Sequence, residues 1–224
     1  MSMEKRVLAP EILDSLPHDH PDALESRGDI RFLNSVMGSF FWLRNRLEEH
    51  VCNSDRIVEL GAGDGGLVRY VGEEFPLIAA RWTGLDFAPA PKNLPAQTSW
   101  VKGDFFSEDA AGEALQNATV IVANLILHHF TDAQLQELAT RFKSARLLII
   151  SEPARYIQHY WKGKLLNAIF GFNYVTMYDM LLSLRAGFQK GELQKTLGLN
   201  VNEWDVYESH TFTGACRLVA VRKV

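Results

Sequence analysis

The chain has 224 residues, of which 47% are hydrophobic and 22% charged, with a net charge of −4. That composition is too apolar for intrinsic disorder, and the length suits one compact domain with a cap or insertion. The acidic balance weighs against a nucleic-acid partner. Two cysteines make no disulfide framework and point to a reducing, cytoplasmic setting. The apolar run Ala118 to Leu127 is far shorter than the ~20 residues of a membrane helix, and the opening MSMEKRVLAP does not read as a secretion signal.

Residues 1–28 hold three of the eight prolines and show no periodicity, so they read as an irregular arm. Within it, His18-Asp19-His20 has no downstream Cys/His partner set and reads as a solvated loop rather than a metal site. Leu33, Val36, Met37, Phe40, Leu43 and Leu47 recur at three and four, which predicts one helix over 29–50 opened by Asp29. Arm and helix together form an N-terminal cap, residues 1–50.

Short apolar runs then alternate with helical stretches. Strands are predicted at 56–60, 81–86, 99–104, 119–125 and 145–151, and the clearest helix at 131–143. This alternation means an α/β domain with a parallel sheet covered on both faces. VNEWDVYESHTF and GACRLVAVRKV, joined at Thr213-Gly214, predict an antiparallel hairpin on the sheet edge.

The strongest local signal is IVELGAGDGG, a buried strand running into a glycine-rich turn and then a helix. Glycines there let backbone approach a ligand at the carboxyl end of the first strand. Gly61, Gly63 and Gly66 fit a dinucleotide pattern, while Gly61, Gly63 and Gly65 fit an S-adenosylmethionine pattern. The glycines alone do not choose between them. Glu59 and Asp64 suit a sulfonium and an ammonium group better than a pyrophosphate. Asp86, closing the second predicted strand, can accept hydrogen bonds from ribose hydroxyls. Asp104 can take an adenine amine, with Phe105 against the ring and Phe87 nearby. Asn124 and Leu125 open the NLILHHFTD run after the fourth strand.

IVELGAGDGG, TGLD, KGDFF and NLILHHFTD, in this order, resemble the class I S-adenosylmethionine-dependent methyltransferases. The resemblance covers about 55–151 and the last strands. It implies a Rossmann-like doubly wound sheet of seven strands, order 3-2-1-4-5-7-6, with the last strand antiparallel. It also implies S-adenosylmethionine as cofactor, held by Glu59, Gly61, Gly63, Gly65, Asp86, Phe87, Asp104, Phe105, Asn124 and Leu125.

Residues 155–185 form an insertion before the sixth strand. In 156–178, seven of 23 residues are aromatic, against 11% for the chain. This predicts a pocket wall or lid for a small, phenolic or otherwise part-aromatic acceptor. Phe40, Phe41, Trp42 and Arg44 are expected to close the pocket from above, and residues 1–50 and 156–178 to act together as a lid, so that a chain lacking 1–28 still folds and binds cofactor but loses acceptor turnover. His128, His129 and His159 are the candidate general bases, and no acidic cluster suggests a metal. Three rivals stand beside this reading: a macromolecule methyltransferase, a non-catalytic cofactor-binding module and a nicotinamide-dependent oxidoreductase.

Overall fold

The computed structural model describes residues 3–17 and 19–223. Its strands are β1 (Ile57–Leu60), β2 (Trp82–Asp86), β3 (Ser99–Lys102), β4 (Val120–Asn124), β5 (Leu147–Pro153), β6 (Trp204–His210) and β7 (Ala215–Arg222). They form one sheet in the order β3-β2-β1-β4-β5-β7-β6. The first five pair in parallel, and β7 runs antiparallel to both β5 and β6. The expected α/β class, strand order and closing hairpin are all present.

The apolar runs become strands because both sheet faces are covered. Every residue of β1 and β5 is buried. At the edge, β6 alternates along its length, as a strand with one wet face does. Helices α1 (Ile12–Ser15), α2 (Pro21–Met37) and α3 (Ser39–His50) precede the sheet. Next come α4 (Gly66–Glu74), α5 (Pro76–Ala79), α6 (Ala110–Asn117) and α7 (Asp132–Thr140). The insertion contributes α8 (Ile157–Phe170) and α9 (Tyr174–Ala186), and α10 (Glu192–Thr196) leads to β6. One core joins Leu115, Leu135, Leu138 and Leu193 of α6, α7 and α10 to the sheet. The other joins Leu43, Leu47, Leu67, Val68, Val71 and Ile78 of α3, α4 and α5 to its opposite face. Helix α7 starts on a capping box, with Thr131 Oγ1 accepting from the Gln134 amide at 3.2 Å.

The amino-terminal region departs from expectation. The helix predicted over 29–50 is two helices, broken at Gly38, whose φ of +63° is the left-handed conformation that ends α2. Helix α2 begins eight residues before Asp29, because Pro21 stands at its first position and His20 Nδ1 accepts from the Asp22 amide at 3.2 Å. Of the His18-Asp19-His20 run, His18 lies outside the described residues.

Nor is the arm loose. Arg6 donates to the carbonyls of Ala186 and Phe130, both at 2.8 Å, and its guanidinium lies 4.4 Å from the Phe188 ring centre. The fully buried Arg155 donates to the Met3 carbonyl and pairs with Glu192. Asp179 of α9 accepts from the amides of Ile12 and Leu13, at 2.8 and 3.0 Å.

Candidate active site

Three positive-φ glycines shape the loop after β1: Gly61 at +62°, Gly63 at +57° and Gly65 at +72°. The two βα turns meet here, since a Cβ on Gly61 would lie 2.6 Å from the Ile126 side chain. A Cβ on Gly63 would meet nothing nearer than a carbonyl at 4.0 Å, so the space beside it is open. The Asp86 carboxylate ties the loop to β2, accepting from the Gly63 amide at 2.8 Å and the Ala88 amide at 2.8 Å.

The loop acids are placed otherwise than the sequence suggests. Glu59 is buried under the loop, where Trp82 Nε1 donates to its Oε2 at 3.0 Å. Burial pushes its carboxyl pKa up to about 8, with Asp86 and Asp64 adding to the shift. Asp64 pairs with Arg31 at 2.8 Å and with Arg69 at 3.5 Å. Neither acid lines the cavity above the sheet.

Beyond β4, Leu125 takes a left-handed φ of +56° and turns the chain into a 3-10 turn, Leu127–His129. Glu152, near the end of β5 and fully buried, anchors that turn. Its Oε1 accepts from the amides of Ile126 and Leu127, at 2.9 and 2.8 Å. Its Oε2 lies 3.3 Å from the His128 amide and 2.7 Å from His128 Nδ1. This carboxylate therefore sets the imidazole tautomer, with the proton on Nδ1 and Nε2 turned away from Glu152. His128 Nε2 is buried, has no hydrogen-bond partner and lies 3.6 Å from Glu11 Oε1. Burial opposes a charge on His128, but Glu11 and Glu152 outweigh it and push the pKa up to about 9. His129, its ring 4.3 Å from that of His128, has its pKa lowered by burial and then by His128. For Glu11, burial is outweighed by His128 and His129, which hold the carboxyl below its ordinary range.

A cavity of about 620 Å³ unites these groups. Gly61, Gly63, Asp86 and Leu125 line one part, and His128, His129 and His159 another. The remaining wall is mostly apolar, with Ile30, Leu33 and Val36 from α2, Leu166 and Ile169 from α8, and Met180 and Leu184 from α9, interrupted by the polar Lys162, Thr176, Asp179 and Ser183 and by the Phe212 ring. The predicted aromatic wall is thus corrected. The insertion does form the wall, but with its aliphatic residues, while Trp161 at 61% and Tyr174 at 59% exposure point outward. Tyr160 stacks edge-on against Trp161 at 5.9 Å. Phe40, Phe41, Trp42 and Arg44 line no part of the cavity. Phe40 packs on Tyr70 of α4 at 6.0 Å, and Arg217 covers Trp42. The cap's contribution comes instead from α2 and from Glu11 and Asp14 of the arm.

Of the other expected residues, Gly65 caps α4 and Asn124 donates to Asn34 Oδ1 of α2 at 3.1 Å. Asp104 accepts from the Phe106 amide at 3.0 Å. Phe105 is buried in the core, with the exposed Phe87 ring 6.4 Å away at 27°. These residues stand outside the cavity lining. His159 lines it across from the loop side, near Gly214, and burial and then Lys162 lower its pKa. Glu11, Asp14, Glu152 and Asp179 were absent from the sequence reading. Glu152 is the one charged side chain of β5, which runs two residues past the expected boundary at 151.

No family model and no curated protein matches the sequence. Solved structures do match. The plantazolicin methyltransferase BpumL in complex with a triazolic desmethylPZN analog and SAH aligns over 95% of this chain and 93% of its own, with a TM-score of 0.69 and 11% identity. The pyocyanin biosynthetic protein PhzM aligns over 96% of this chain and 62% of its own, with a TM-score of 0.57 and 18% identity. Human N-acetylserotonin methyltransferase in complex with SAM aligns over 94% and 61%, with a TM-score of 0.52 and 16% identity. The fold is therefore the seven-stranded Rossmann-like fold of S-adenosylmethionine-dependent methyltransferases.

Proposed function

We propose that this chain is an S-adenosylmethionine-dependent methyltransferase whose acceptor is a small, largely aliphatic molecule with one polar group to be methylated. The observation that carries this reading is a single cavity with a glycine loop and Asp86 in one part, an oriented imidazole in another, and mostly apolar walls between. The open space at Gly63 and the lone pairs left on the Asp86 carboxylate fit a nucleoside-bearing cofactor. When bound, that cofactor supplies an activated methyl group on a sulfonium. The chain's own task is then to hold the acceptor in line, exclude water and take a proton.

The His128–Glu152 pair meets the last requirement. With Nδ1 held by Glu152, Nε2 is the atom that receives the acceptor's proton, the same division of labour as in other carboxylate–histidine pairs. Glu11 then stabilises the imidazolium that forms. At 2% exposure, His128 is out of reach of a bulky macromolecular surface, which favours a small acceptor over a protein or RNA. The aliphatic lining moves the expected acceptor from phenolic toward chain-like or alicyclic.

Calorimetry tests the cofactor. The protein is expected to bind S-adenosylmethionine and its demethylated product, and Asp86→Ala to weaken both by roughly a hundredfold. That loss corresponds to one or two charge-assisted hydrogen bonds. Asp104→Ala is expected to cost much less. Binding of NAD with no S-adenosyl binding overturns the reading.

The pH profile tests the base. A group must be deprotonated to accept a proton, so kcat/KM should rise about tenfold per pH unit and level near the His128 value of about 9. A profile already flat above pH 7 assigns the proton to His129, whose pKa lies below the ordinary histidine value.

A further inference from the structure

We propose that Glu208, His210 and Cys216 form a binding site for one divalent transition-metal ion of the zinc type, at the β6–β7 edge and apart from the cavity. His210 and Cys216 are direct partners in the antiparallel ladder, and Glu208 stands two residues before His210. Period-two alternation therefore places all three on one face. One donor atom from each lies within 4.8 Å of the other two. Donors around a tetrahedral zinc ion stand roughly 3.3–3.8 Å apart, so small side-chain rotations close the shell.

A further observation points to a cation. Glu208 Oε2 and His210 Nδ1 are buried without a hydrogen-bond partner, and the Glu208 side chain is only 8% exposed. Buried orphans of this kind are costly and call for a ligand.

The groups around the site are already ordered. The Gly191 amide donates to Glu208 Oε1 at 2.7 Å, His210 Nε2 lies 2.9 Å from the same oxygen, and the Tyr156 ring meets His210 edge-on at 5.4 Å. On binding, the Cys216 S–H bond breaks, an S–metal bond forms and one proton leaves to solvent. Water fills the fourth position. The residue mix of one thiolate, one imidazole and one carboxylate suits zinc over magnesium or calcium, which prefer oxygen alone.

The test uses the full chain, freed of metal by chelation and titrated with Zn²⁺ and with Co²⁺. One equivalent is expected to bind with release of about one proton, and Co²⁺ should show near-ultraviolet thiolate charge-transfer absorption. Cys216→Ser, nearly isosteric, should abolish that absorption and weaken Zn²⁺ at least a hundredfold. Glu208→Gln should weaken it about tenfold or more, and decides the matter if the serine variant fails to fold. Cys52→Ser, at the exposed second cysteine, should bind as wild type. The proposal is overturned if Glu208→Gln and Cys216→Ser bind as wild type. It is also overturned if the metal signal disappears in His128→Ala instead, because among the described residues Glu11, His128 and His129 form the other donor cluster.

Discussion

Glu152→Gln is expected to cut kcat by about 10²–10⁴-fold while leaving cofactor affinity within a few fold of wild type. The carboxylate faces four N–H groups: the amides of Ile126, Leu127 and His128, and the His128 ring. A carboxamide has one oxygen to offer. Its oxygen can keep the Ile126 and Leu127 amides, but its NH₂ then points at His128 Nδ1. The imidazole answers by moving its proton to Nε2, the atom that has to be empty. Steady-state kinetics with a turned-over acceptor, beside calorimetry, separates the two effects. The pH profile adds a readout that a merely structural role would not move. Without the carboxylate, the rise attributed to His128 should shift below its value of about 9. Turnover within threefold of wild type would remove Glu152 from the mechanism.

Deleting residues 1–15 is expected to lower the melting temperature by more than ~10 °C and turnover by at least a hundredfold. From its contacts the arm is expected to be more than a removable lid. Its loss strips Arg6 from the carbonyls of His128, Phe130 and Ala186, leaves Asp179 without the amides it accepts from, and removes Glu11 and Asp14 from the cavity. Each buried polar group left unpaired costs ~1–3 kcal/mol, so together they take a large part of a typical stability of ~5–15 kcal/mol. Arg6→Ala, read by thermal melting, isolates the anchoring contacts. Glu11→Gln, read by the pH profile, isolates the effect on His128. A truncated protein with normal melting and normal turnover would show that the arm neither anchors nor completes the site.

The amino-acid sequence by itself determined the sheet, the glycine loop and the place of the histidines. Those features are local. A run such as IVEL buries both faces as a strand, glycines at 61, 63 and 65 permit the positive φ that the turn requires, and Thr131 and Gln134 cap α7 within one turn. Where local signals are weak, sequence and structure diverge. Gly38 sits inside an uninterrupted helical period, and Pro21 rather than Asp29 opens α2. The aromatic count of the insertion suggested a wall of rings, but composition does not say which side of a helix faces in. Trp161 of α8 and Tyr174 and Tyr178 of α9 are exposed, whereas Leu166, Met180 and Leu184 of the same two helices line the cavity.

Only the tertiary structure decided the chemistry of the site. Glu11 lies in an arm with no periodicity and Glu152 at the far end of a different strand, yet both stand beside one imidazole, on its two nitrogens. Glu59 and Asp64, adjacent to the loop in sequence, are turned to Trp82 and to Arg31. The physical reason is that backbone conformation is set by neighbours in the chain, whereas the pKa of His128 and the nitrogen that exchanges its proton are set by burial and by charges that only the folded sheet brings within 4 Å.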